Sequence, residues 1–138
     1  MVDFNLKIGM KGVAQMIVSQ ENMAEKFSRP MPPSFATPML ISLMDNAAIE
    51  AVKNNLPAGY ITVGISITVK HLAPTPEGMA VTAEAELVNI FKNRLNFKVT
   101  AYDEVEKIGE GEVERFIIDL ENFSKKILEK KKKEENPL

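Results

Sequence analysis

The twenty residues from Thr37, TPMLISLMDNAAIEAVKNNL, form the most constraining stretch of the chain. Read as a helix, they carry Met39, Leu40, Ile41, Leu43, Met44, Ala47, Ala48, Ile49, Ala51 and Val52 over most of the circumference. Only Ser42, Asn46, Glu50 and Lys53, spaced three and four apart, form a polar stripe. A helix this apolar must be enclosed on several sides, not laid on a flat surface. Its start is marked by Thr37, a good N-cap residue, and by Pro38, which suits a first helical position where no backbone donor is needed. LPAG ends it.

The residues after the helix supply the enclosing surface. YITVGISITVKHL, MAVTAEAELVNI, RLNFKVTAYD and IGEGEVERFIIDL read as four strands. Alternation is clearest in the first, where Ile61, Val63, Ile65, Ile67 and Val69 share one face. Short connections such as FKN and DEVEK predict antiparallel pairing. Ahead of the helix, residues 6–19 read as a strand interrupted by two glycines. The prolines of QENMAEKFSRPMPPSFA mark a loop with one helical turn. The expectation is an α+β fold, a long helix with an antiparallel sheet curled around it. With 138 residues the chain is one domain, set at 1–123, with a charged helical tail at 124–138. A single sheet of this size covers only part of such a core, so a second copy is expected to associate with it.

Composition narrows the chemistry. The chain has no cysteine, which removes thiolate nucleophiles and Cys-based zinc sites, and its single histidine argues against an imidazole metal site. No cofactor is expected. A formal net charge of −2 disfavours global attraction to nucleic acid or anionic membranes. No apolar run approaches the roughly 20 residues needed to span a bilayer, and the N-terminus does not read as a secretory signal; a cytoplasmic protein is expected. The run Lys130–Lys133 is interleaved with glutamates and reads as a solvated helix end.

Three polar residues break the pattern. Asp45 lies off the polar stripe, on the side of Ile41, Ile49 and Val52; it reads either as an edge residue reaching water or as a working carboxylate. His71 has the parity of Ile61 to Val69, so its ring points to the apolar face; it reads either as a satisfied core histidine or as an acid–base group. Both faces are predicted to meet. Thr37 stands at a helix N-terminus, where backbone donors and the macrodipole stabilise an oxyanion. Gly64 has the opposite parity, facing away from the apolar side, and serves either as a bulge or as a close approach for a ligand. Lys92, Arg94 and Lys98 in FKNRLNFK form either a solvated face or contacts for phosphates.

SFATPMLISLMDNAA, VGISITVKHLAPTPEGMAVTAEAELV and IGEGEVERFIIDLENF together resemble the hotdog-fold thioesterases of the fluoroacetyl-CoA thioesterase type, over most of residues 34–123. HLAPTPEGM and GEGEVERF are the most specific pieces. The resemblance implies a hotdog fold, hydrolysis of an acyl-CoA thioester, and a homodimer or higher homo-oligomer with sites at the subunit interface. It further implies Thr37, Asp45 and His71 as the catalytic set, and Gly64 beside the thioester carbonyl. The chain departs from the pattern in two places. Asp45 stands where glutamate is more usual, and SRPMPPS lacks the aromatic lid of the fluoroacetyl-specific type, so discrimination for a fluorinated acyl group is not carried over. The competing expectations are a hotdog hydratase or dehydratase, or a protein that binds acyl-CoA without turnover.

Overall fold

The computed structural model describes residues 4–135. Five strands form one antiparallel sheet: β1 (Lys11–Ile17), β2 (Tyr60–His71), β3 (Ala80–Phe91), β4 (Arg94–Tyr102) and β5 (Lys107–Asp119). Helix α1 (Thr37–Val52) lies in its concave face, and α2 (Leu120–Glu135) continues directly from β5. The expected α+β hotdog architecture is what is observed. The loop before α1 contains two short 3₁₀ turns, at Gln20–Asn22 and Ala24–Lys26.

The sheet order is β1-β3-β4-β5-β2, so the strand after the helix lies at one edge and the opening strand at the other. The short connections do pair β3 with β4 and β4 with β5, whereas β2 crosses over to β5. Inward positions alternate cleanly: Val81, Ala83, Ala85 and Leu87 on β3, and Leu95, Phe97, Val99 and Ala101 on β4, are all fully buried. Against them α1 sets Leu40, Leu43, Met44, Ala47, Ala48 and Val52. The alanines on both sides let helix and sheet approach closely. At β1 the approach is closer still, because a Cβ on Gly12 would overlap Ala51 N and Ala47 O of the helix backbone.

Two expectations are corrected here. Thr37 is the first residue of α1, not its N-cap; Ala36 caps the helix through its carbonyl, accepting from Met39 N and Leu40 N. That leaves the Thr37 hydroxyl free for another partner. The single apolar face of β2 is also broken. Register shifts between Gly64 and Ser66, so Ile65 is an extra residue that swaps the inward parity. Before this bulge Thr62 points inward, buried, and Ile61 outward; after it Ile67, Val69 and His71 point inward, half-buried. Gly64 therefore shares the inner face with Arg115, its partner on β5, and does not face away.

Candidate active site

At the last residue of β2, His71 meets the first residue of α1. Thr37 Oγ1 and His71 Nδ1 are 2.7 Å apart, a short hydrogen bond between the two elements. The other ring nitrogen, Nε2, is buried and has no hydrogen-bond partner among the described residues. Burial pushes the imidazole below its ordinary value of 6.5, and the Ala73 backbone opposes this more weakly. The ring is thus neutral at pH 7, oriented from one side and uncommitted on the other. An uncommitted buried imidazole nitrogen is costly in a merely structural residue and useful in a general base.

The pair opens into a cavity of about 510 Å³ whose other walls come from the loop before α1 and from the segment after β2. One backbone bond joins these segments and a second braces the loop itself. Phe35 N donates to Thr75 O at 2.9 Å, and Ala36 N donates to Asn22 O at 2.9 Å. Thr75 is fully buried, and its hydroxyl donates to Asp103 Oδ2 in the β4–β5 turn at 2.9 Å. Asp103 Oδ1 in turn accepts from Val105 N and Glu106 N. The motif after His71 is therefore tied both to the segment that leads into Thr37 and to the β4–β5 turn at the same end of the sheet.

Asp45 is not at His71. Eight residues on from Thr37, it stands about 12 Å along the helix axis, in a second cavity of about 380 Å³ shared with Pro38, Ser42, Gly64 and Ile67. Its Oδ1 accepts from Arg115 Nη1. Arg115 is 5% exposed, and its other two nitrogens donate as well: Nε to Thr62 Oγ1 at 2.8 Å and Nη2 to Thr62 O at 2.9 Å. The off-stripe carboxylate thus has a buried cationic partner, which neither sequence alternative for Asp45 includes. The signal lies in GEVERF, where Arg115 has the parity of the core residues Val113 and Ile117. An inward cation is a search cue for an inward anion.

Within one chain the structure brings Thr37 and His71 together, places Asp45 and Gly64 together one cavity away, and leaves Arg94 outside both. Arg94 Nε lies 3.8 Å from Glu114 Oε2, and the side chain is half exposed. Phe27 and Met31, which the sequence does not single out, line the His71 cavity.

Residues 18–121 match the family described as fluoroacetyl-CoA-specific thioesterase. The fluoroacetyl-CoA thioesterase of Streptantibioticus cattleyicolor is 40% identical over 99 residues, 72% of this chain and 71% of that protein. A crystal structure of a fluoroacetyl-CoA-specific thioesterase variant superposes with a TM-score of 0.85 at 31% identity, covering 93% of this chain and 99% of the other. A thioesterase superfamily member from Thermus thermophilus superposes with a TM-score of 0.88 at 26% identity, covering 94% and 96%. A further variant of the fluoroacetyl-CoA enzyme, solved with acetyl-CoA, has a TM-score of 0.84 at 31% identity and covers 91% and 98%.

Proposed function

This chain belongs to the family of fluoroacetyl-CoA-specific thioesterases and is an acyl-CoA thioesterase, and on that premise we propose that Thr37, Asp45 and His71 carry the hydrolysis. The observation that supports this most is the neutral His71 ring beside the cavity, fixed by Thr37 at Nδ1 and left without a partner at a buried Nε2 among the described residues.

In the proposed reaction Nδ1–H donates to Thr37 Oγ1, which leaves the Nε2 lone pair to take a proton from water. The water oxygen attacks the thioester carbonyl carbon and forms a tetrahedral oxyanion. The Thr37 N–H at the N-terminal end of α1 and the backbone at Gly64 stabilise that charge. Collapse breaks the carbon–sulfur bond, and the thiolate takes the proton back from the imidazolium. The products are the free acid and CoA. Because a thiolate leaves readily, no stronger acid is required. The Asp45 carboxylate, held by Arg115, orients the attacking water or the imidazolium.

That last role requires Asp45 and His71 to act in one site, and we assign this to a homodimer. β2 is a twelve-residue edge strand, and Ile61 and Ile65 on it and Phe116 beside it are exposed, 39%, 45% and 36% respectively. A long unpaired edge with an apolar flank favours pairing with a second copy. In the proposed dimer two β2 strands pair antiparallel, which would bring the Gly64–Asp45 cavity of one copy toward the His71 end of the other. Arg94 is proposed as a contact for the phosphates of CoA, which extend well away from the thioester. No helix among the described residues is long and apolar enough to cross a membrane; a cytoplasmic location is proposed. The test is product identity: stoichiometric free thiol and free acid from an acyl-CoA support hydrolysis, whereas enoyl-CoA without thiol would show a dehydratase.

A further inference from the structure

The cavity at His71 is much larger than a two-carbon acyl group requires. Its volume of about 510 Å³ falls in the ~300–1,000 Å³ range of sites that enclose whole small molecules. Not one of its lining residues carries a formal charge at neutral pH; apart from Thr37 and His71, the polar side chains are Ser28 and Ser34. The rest of the wall is apolar, and three of its large side chains stand open to solvent: Phe27 at 51%, Met31 at 47% and Leu72 at 49%. Three exposed apolar side chains around one cavity, beside a catalytic pair, form a surface that gains by being covered. Met31 adds adaptability, since its unbranched thioether side chain fits itself to irregular apolar shapes.

From this, and resting on the thioesterase assignment above, we infer that the acyl group this enzyme prefers is an uncharged apolar chain longer than acetyl, of which octanoyl is the representative, seated against Phe27, Met31 and Leu72. The carbonyl carbon lies at the Thr37–His71 pair, and the chain runs along the loop that precedes α1. A charged acyl group such as succinyl finds no counter-ion in this wall and is disfavoured. Acetyl, or a fluorinated two-carbon group, reaches the catalytic pair but touches little of the wall.

The experiment is kcat/KM for CoA release from acetyl-, butyryl-, hexanoyl-, octanoyl- and succinyl-CoA, with wild type beside Phe27→Ala and Met31→Glu. Both positions are solvent-exposed, so neither change removes core packing. The expected profile rises from acetyl to octanoyl by about fourfold per methylene, the gain from burying one CH₂. In each variant the octanoyl-to-acetyl ratio falls by about tenfold. A flat profile, one that peaks at acetyl or succinyl, or a ratio unchanged in both variants would overturn the chain-length inference and leave the thioesterase assignment standing. Release from none of the five would overturn both.

Discussion

At the scale of single residues, the chemistry rests on how two polar groups are partnered. His71 is lowered below 6.5 chiefly by burial, so protonation of the free enzyme below that value removes the proposed base. The acid limb of kcat/KM is expected to inflect below pH 6.5, and an inflection above it would contradict a desolvated imidazole as the base. The sign for stability is the same. The folded state binds the proton less readily than the unfolded chain, so the contribution of His71 is present above 6.5 and fades as pH falls toward its lowered value. For Arg115, replacement by Met strands Asp45 and Thr62. The expected cost is about 1.5–3 kcal/mol, the range for hydrogen bonds to charged groups. It is smaller than for a fully enclosed pair because the Asp45 side chain remains 36% exposed. Urea unfolding would measure it. Arg94→Ala, by contrast, is expected to raise KM for acyl-CoA severalfold and leave kcat in place.

At the scale of elements, the links between segments set the site geometry. A Gly12→Ala change pushes β1 off α1, since the atoms it would overlap are helix backbone and cannot rotate away; about 1–3 kcal/mol of destabilisation is expected, as for other overpacked positions. Burial pushes Asp103 up, but the N–H groups of Val105 and Glu106 and the Thr75 hydroxyl together outweigh this and hold it below its ordinary 3.8. Its contribution is therefore complete above pH 3.8 and is lost as pH falls through the lowered value. The gap in melting temperature between wild type and Asp103→Asn should be widest near neutrality and close in strong acid. Much of this level is legible in the sequence. The helix, the four later strands and the inward-facing His71 follow from periodicity and turn residues. The bulge at Ile65 is not, because an extra residue leaves no trace in a run where every odd position is apolar. Thr37 is misplaced for a similar reason. A threonine before a proline has the same appearance whether its hydroxyl caps the helix or reaches 34 residues along the chain to a histidine.

At the scale of the whole molecule, the crossover that puts β2 at the sheet edge decides which long strand is left open on one side. Sequence-local pairing rules connect β3, β4 and β5 but do not say that β2 joins β5. Once it does, the strand that ends in His71 and flanks Asp45 has one unpaired side. Sedimentation at micromolar concentration is expected to show a dimer or a multiple of one, and Ile65→Lys at the exposed bulge should shift it toward monomer and lower activity with it. The site's central residue pair, by contrast, lies within one chain. The decisive measurement is therefore free-thiol release from octanoyl-CoA by wild type and by His71→Ala, each confirmed folded and of equal oligomeric state. With His71 as the base, the variant loses at least about a hundredfold in rate; a variant that releases thiol at close to the wild-type rate would contradict that role.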